Sequence, residues 1–191
     1  MTKHTIVALV EDRPGVLNRV ASMFRRRAFN IESLAVGHSE MPRLSRMTVV
    51  VDGATTQIDQ VTKQLYKLAD VVKVSDITEE EMVYRELALI KVRASNSHRG
   101  EVLQIVELFR ANVIDVAPDS LVIEVTGTDD KIDAMMTMLK GFGIREMVRT
   151  GRVAMVRGGG AVSISEEDTA TAPPRRAEAS ARRRRVPPQE T

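Results

Sequence analysis

The sequence predicts an α+β fold in which one βαββαβ unit occurs twice along the chain. Strand and helix periodicities follow one another in that order, and the same order returns after roughly 80–85 residues. Both copies also carry a Phe-Arg pair near the end of their first helix, at Phe24-Arg25 and Phe109-Arg110. We therefore expect two tandem ferredoxin-like domains.

The first unit begins with a β-branched apolar run that predicts a strand buried on both faces. Its four predicted strands are residues 5–11, 30–37, 44–52 and 71–76. A helix at 16–24 follows the break at 12–15, with Pro14 in its first turn, where the missing N–H costs nothing. Thr55 or Thr56 is predicted to cap the second helix. The core positions of that helix are Ile58, Val61, Leu65 and Leu68.

The second unit follows an acidic link at 78–81. Its predicted strands are residues 85–94, 112–117, 121–126 and 144–148. Its first helix, at 100–110, places Val102, Val106 and Phe109 on one side. Thr128 is predicted to cap the second helix, whose core positions are Ile132, Met135, Met136 and Leu139. We expect domains at 4–77 and 84–157, followed by a disordered Arg- and Pro-rich tail at 158–191.

Composition excludes several classes of protein. The chain has 191 residues and no cysteine, which excludes disulfides, thiolate zinc sites and cysteine nucleophiles. Its three histidines are far apart in sequence, so we expect no metal centre. No apolar run approaches the ~20 residues that a membrane-spanning helix needs. The N-terminus leads directly into a strand without the apolar segment of a signal peptide, and we expect a cytoplasmic protein.

The basic residues are concentrated near the C-terminus. Seven of the 28 basic and five of the 26 acidic side chains lie from Arg157 onward, which leaves 21 of each in the preceding residues. The two predicted domains together are therefore formally neutral. A nucleic-acid surface is not indicated by charge on the folded part.

The most informative motif is Asp12-Arg13-Pro14-Gly15-Val16-Leu17, where the first strand meets the first helix. A helix start has unpaired N–H groups and the positive end of the dipole, which suit a carboxylate. Gly15 permits close approach to its backbone, and Asp12 can accept hydrogen bonds from an ammonium group. The motif is compatible with an amino-acid pocket. By local chemistry alone, a plain N-cap at Asp12 followed by a Pro-Gly turn is the favoured interpretation.

Several motifs together resemble the regulatory small subunit of acetolactate synthase (acetohydroxyacid synthase), a family whose chain begins with an ACT domain. The matching motifs are D-R-P-G-V-L at 12–17, N-I-E-S-L at 30–34, L-S-R-M-T at 44–48, E-L-A-L-I-K-V at 86–92, F-R-A-N-V-I-D-V at 109–116 and F-G-I-R-E at 142–146. The resemblance covers residues 4–157 and implies an N-terminal ACT domain followed by an ACT-like domain.

The resemblance also implies a non-catalytic partner of an enzyme. Members of the family bind and activate a catalytic large subunit that carries thiamine diphosphate, Mg²⁺ and FAD, and they confer feedback inhibition by valine, sometimes with leucine or isoleucine. The effector lies between the ACT domains of a homodimer. The residues implied for one chain are Asp12, Gly15, Val16 and Leu17. Asn30 and Ile31 are implied for the neighbouring chain. The corresponding loop at 95–100 lacks the motif, and we expect no effector there.

Other functions stay open on the residues alone. A free-standing amino-acid sensor, a nucleic-acid-binding regulator and a small enzyme can all use ferredoxin-like sheets. The chain has only four Phe, two Tyr and no Trp, which disfavours base stacking. No nucleophile–base pair or cofactor loop is evident, so an enzyme is the weakest of the three. Arg46 is predicted to contact a partner or to form a surface pair with Glu32.

Overall fold

The computed structural model describes residues 3–52, 58–160 and 162, and it confirms the duplicated βαββαβ order. The strands are β1 Lys3–Glu11, β2 Ile31–His38, β3 Leu44–Asp52, β4 Val71–Asp76, β5 Met82–Arg93, β6 Asn112–Ala117, β7 Ser120–Gly127, β8 Ile144–Arg149 and β9 Val153–Val156. The helices are α1 Val16–Arg26, α2 Ile58–Tyr66, α3 Arg99–Leu108 and α4 Asp129–Leu139. No helix within these residues is long and apolar enough to cross a membrane.

The first domain has an antiparallel sheet with strand order β2-β3-β1-β4. Side chains alternate along a strand, so Ile6, Ala8 and Val10 of β1 lie in the main core of this domain with Phe24 of α1 and Leu65 of α2. The intervening side chains of β1 are buried too, on the opposite face. The prediction that β1 is buried on both faces is confirmed.

The second domain repeats the arrangement with strand order β6-β7-β5-β8. Ile90 of β5 and Ile123 of β7 form the centre of its core together with Ile132, Met135 and Leu139 of α4. These three α4 residues were predicted to fill the core, and they are fully buried. Met136 packs against the same core and is only partly buried.

Strand β9 was not predicted from the sequence, and β5 begins at Met82, earlier than the predicted start at residue 85. Residues Met82–Arg85 of β5 pair with β9 in antiparallel register, outside the main sheet. In the same region Val7 of β1 forms a small apolar cluster with Ile77, Ala154 and Val162. This two-stranded extension covers Val7 on the second face of β1, and it joins the two domains.

One local prediction is wrong: Pro14 lies in a turn before α1, because the helix begins at Val16 after Gly15 adopts the left-handed conformation. Thr128 is the N-cap residue of α4, as predicted, although its side chain makes no capping hydrogen bond. Val162, within the predicted tail, is buried against the cluster at Val7. Thr55, Thr56 and the tail from 163 onward lie outside the described residues.

Candidate functional site

The loop between β1 and α1 presents the start of α1 without any acidic side chain in its first turn. Gly15 precedes the helix with φ of +89°, a conformation that glycine adopts without strain. A Cβ at this position would have only Arg19 Nη2 nearby, at 3.9 Å. The main chain at Gly15 is therefore open to a ligand, and the positive end of the helix dipole is left for an anionic group.

Asp12 is held at the other side of this loop by two neighbouring strands. Ser45 Oγ of β3 donates to Asp12 Oδ1 at 3.3 Å, and His38 Nδ1 at the end of β2 lies 3.2 Å from Asp12 Oδ2. The Asp12 N–H donates to the Arg43 carbonyl at 2.8 Å. The Asp12 side chain is still 44% exposed, so its carboxylate remains accessible to a cationic group.

A buried carboxylate, Asp70, holds the loop in place from the interior of the first domain. Arg13 Nε donates to Asp70 Oδ1 at 3.0 Å, and Arg19 Nη1 forms a charged hydrogen bond with Asp70 Oδ2. The Asp70 side chain is only 2% exposed, and its carbonyl accepts the N–H of Glu11 at 2.8 Å. The hydrogen bond that Arg13 donates to Asp70 raises the pKa of Arg13. Asp70 therefore ties the end of β1 and the first turn of α1 to the turn before β4.

The two apolar residues of the motif have different surroundings. The side chain of Val16 is buried in the core of the first domain. Within one chain, only the backbone of Val16 is therefore available at the surface of the loop. Leu17 is 48% exposed. It is the apolar side chain of the motif that a ligand or a second chain can reach.

Asn30 and Ile31 lie at the opposite end of the same sheet. Ile31 pairs with Val51, which in turn pairs with His4, whereas the loop follows Glu11. His4 and Glu11 are seven residue steps apart along β1, which at ~3.4 Å per step is about 24 Å. One chain therefore does not bring Asn30 and Ile31 to the Asp12–Gly15 loop. Asn30 is exposed and precedes β2, and Ile31 is half-buried.

Three neighbours of the loop, His38, Ser45 and Asp70, were not predicted from the sequence. His38 and Ser45 are opposite each other in the β2–β3 ladder, and this pairing brings both to Asp12. Asp70 is separated from Arg13 by 57 residues. In the sequence, Asp70 is marked only by being a single acidic residue between Leu68 and an apolar strand.

The equivalent loop of the second domain uses its polar groups internally. Ser95 Oγ lies 3.0 Å from both Ser97 Oγ and His98 Nδ1. Arg99 Nη2 donates to the carbonyls of Ala94, Ala117 and Pro118. In contrast to α1, α3 has an acid in its first turn, Glu101.

The pair predicted between Arg46 and Glu32 is not formed. Arg46 Nη2 donates to the Ala154 carbonyl of β9 at 2.9 Å, and burial lowers the pKa of Arg46. Glu32 instead pairs with Lys3 at 3.4 Å. In the described part of the chain, no three His, Cys, Asp or Glu side chains are grouped in a way that could hold a metal ion.

Comparison with known proteins gives one consistent result. A model of the "AHAS small subunit-like ACT domain" matches residues 6–73, and a model of the "small subunit of acetolactate synthase" matches residues 85–158. A relative from Archaeoglobus fulgidus is 55% identical over 156 residues, which are 82% of this chain and 98% of the relative. The acetolactate synthase small subunit of Mycobacterium bovis is 54% identical over 155 residues, 81% of this chain and 92% of the relative.

A solved structure shows the same architecture. The crystal structure of the acetolactate synthase small subunit from Thermotoga maritima has a TM-score of 0.77 and 43% identity, and the match covers 84% of this chain and all of that chain. Fold and sequence thus define a two-domain regulatory protein with an N-terminal ACT domain. The chain belongs to the acetolactate synthase small-subunit family.

Proposed function

We propose that this chain activates the catalytic large subunit of acetolactate synthase and makes it sensitive to feedback inhibition by valine, with leucine and isoleucine as the other candidate effectors. The chain would act as a homodimer in the cytoplasm, in the biosynthesis of branched-chain amino acids. Thiamine diphosphate, Mg²⁺ and FAD would be held by the catalytic partner. Family membership supports this proposal, and the geometry of the first sheet supports a site shared between two copies.

The observation that carries the shared site is the position of β2. This strand forms the edge of the first sheet and pairs only with β3 among the described strands. An edge strand with free N–H and C=O groups can pair with its own copy, and a two-fold axis makes that pairing antiparallel. A pairing centred on β2 places Ile31 of one copy opposite His38 of the other. His38 already contacts Asp12 in its own chain, so the two separated parts of the site meet.

The residues that meet there are complementary to a free amino acid. The Asp12 carboxylate would bind the ammonium group in a charge-assisted contact. The start of α1 at Gly15 and Val16, with no acid in its first turn, would bind the carboxylate. The amide of Asn30 from the second copy can donate to the carboxylate. Leu17 and Ile31 would contact a branched aliphatic side chain.

Inhibition then requires that the effector bind one arrangement of the paired domains more tightly than the other. Ligands of this kind typically change a coupled equilibrium by ~1–3 kcal/mol, which corresponds to about 5–150-fold. Occupancy of the shared site would favour the dimer arrangement in which the contacts that activate the catalytic subunit are weaker.

The first test is a calorimetric titration of the full chain with valine, leucine and isoleucine, with lysine as the control ligand. We expect saturable binding of at least one branched-chain amino acid and none of lysine. Absence of binding by all three would contradict the proposal.

The second test asks whether one site contains residues of two chains. Gly15→Asp and Asn30→Ala should each abolish or strongly weaken binding when present in both copies of a dimer. A mixed dimer of the two variants retains one site with both native contributions, so it should recover about half of the wild-type binding stoichiometry. A site within a single chain would not be restored by mixing, because each chain would carry one defect.

A further inference from the structure

Residues 150–152, between β8 and β9, connect the two domains through hydrogen bonds to both; we name them the junction segment. The Thr150 N–H donates to the Leu87 carbonyl at 2.9 Å, and Thr150 Oγ1 accepts the N–H of Leu87 at 3.0 Å. Two residues later, the Arg152 N–H donates to Ser33 Oγ at 2.8 Å. The segment is thereby bonded to β5 of the second domain and to β2 of the first.

The centre of the junction segment leaves no space for a side chain. A Cβ on Gly151 would lie 2.5 Å from the carbonyl oxygen of Leu34 and 3.0 Å from the backbone nitrogen of Ala35. These are main-chain atoms of β2, which cannot rotate away as a side chain would. A displacement of β2 at this point must therefore move the junction segment with it or break the contact.

The side chain of Arg152 extends the contact to both domains. It is only 7% exposed, and its Nη1 donates to Thr5 Oγ1 of β1 at 3.2 Å. Its Nη2 donates to Asp129 Oδ2 at the start of α4 at 3.0 Å. The guanidinium carbon lies 4.1 Å from the centre of the Tyr84 ring. One buried cation thus contacts β1 of the first domain and both β5 and α4 of the second.

A second cation completes this contact at the surface. Lys3 Nζ lies 3.5 Å from Asp129 Oδ2 and 3.4 Å from Glu32 Oε2. Burial by itself would raise the pKa of Asp129, but the charges of Arg152 and Lys3 outweigh burial and lower it. The start of α4 is therefore held against β1 and β2 by an ionised carboxylate between two cations.

We propose that the junction segment, with Arg152 as its positioning residue, transmits effector occupancy from the first domain to the second. This inference rests on the proposed function, in which Asn30 and Ile31 contact the effector. Ser33 and Leu34 follow them on β2 after Glu32, and the junction segment contacts both. A shift of the first residues of β2 on effector binding is passed to Gly151 and Arg152, and from there to β9 and α4.

The same contacts would also exist if the segment only held the domains together. The two roles differ in what a mild substitution changes. Loss of coupling removes the difference in effector affinity between the two states while binding itself persists, whereas a general structural defect weakens binding and inhibition together.

The test uses the full chain, alone and reconstituted with its catalytic subunit. Arg152→Lys keeps the charge but loses the planar group that reaches Thr5 and Asp129 at once. We expect Arg152→Lys to bind valine with a Kd within about twofold of wild type and to activate the catalytic subunit, but to lose at least about half of the wild-type inhibition at saturating valine. Arg145→Lys is the matched control, because Arg145 pairs with Asp119 away from the junction segment, and it should behave as wild type.

Ser33→Ala is the second variant, and it removes a single hydrogen bond from the junction segment. It is the milder change, so it keeps the test available if Arg152→Lys does not fold. It should also lower the inhibition at saturating valine, by a smaller fraction. Unchanged inhibition in both folded variants overturns the coupling, and so does a parallel loss of valine binding and inhibition. Failure of the wild-type chain to bind any branched-chain amino acid is a different result, since it overturns the proposed function itself.

Discussion

The β1–α1 loop and the β5–α3 loop occupy equivalent positions in the two domains, but their polar groups are used differently. In the first loop, Gly15 leaves the start of α1 uncovered, and Asp12 is partly exposed beside it. In the second loop, His98 is hydrogen-bonded to two serines and Arg99 binds three carbonyls. Equal topology therefore does not imply equal capacity to bind a ligand.

The ion pairs beside the two loops show the same contrast. Asp70 is buried and forms ion pairs with two arginines, so it is part of the packed interior of the first domain. Asp119 pairs with Arg145 at the surface, where the Asp119 side chain is 66% exposed. Charged pairs stabilise a fold mainly where water is excluded from both partners or where removal of one leaves the other unpaired.

The largest effect should follow from neutralising the buried acid. Asp70→Asn leaves Arg13 and Arg19 without their shared carboxylate, and we expect a loss of roughly 2–4 kcal/mol in the free energy of unfolding. Urea denaturation followed by circular dichroism measures this loss. Asp119→Asn is the control at the second loop and should not shift the denaturation midpoint. Equal effects of the two variants would contradict the contrast.

A smaller effect, on valine affinity, should distinguish the start of α1 from the start of α3. Gly15→Asp places a negative charge beside the position proposed for the effector carboxylate, and we expect valine affinity to fall by about tenfold or more. Gly15→Asn tests the backbone alone, since Asn tolerates the left-handed conformation, and should change the affinity by less than about threefold. Gly100→Asp introduces the same charge at the start of α3 and should leave valine binding unchanged. Calorimetry on the three variants measures these differences.

The smallest effect concerns pH at the contact between the domains. Because Arg152 and Lys3 lower the pKa of folded Asp129 below its ordinary value of 3.8, this carboxylate stabilises the folded chain at pH values above that range. The contribution should be lost as the pH falls through the lower, folded pKa. We expect the thermal midpoint of wild type to fall by a few more degrees than that of Asp129→Asn between pH 5 and pH 3. Parallel curves for the two proteins would contradict the role of Asp129.

The main elements were predictable because their signals are local. The apolar periodicity around Phe24 and Ile132 predicted α1 and α4, and the β-branched run at 5–11 predicted β1. β9 was missed because it is four residues long and pairs only with an extension of β5. The buried side of such a strand is set by the surface it covers, here Val7 of the first domain, and periodicity within the strand carries no information about that surface.

The candidate site was predictable only in part for the same reason. The D-x-P-G loop contains its own helix start and its own glycine, so both were identified from consecutive residues. The contacts of His38 and Asp70 with the loop depend on strand register and on a separation of 57 residues in the second case. No local pattern specifies which distant acid receives Arg13.

The duplicated βαββαβ order and the motif at the start of α1 were predictable without a structure, because each depends on residues close together in the chain. The neutral charge of the two domains follows from composition. Tertiary structure decided that Asn30 and Gly15 lie at opposite ends of one sheet and that Arg152 is buried between two domains. Strand order and domain packing bring residues far apart in sequence into contact, and these contacts determine which charges are buried and which stay available to a ligand.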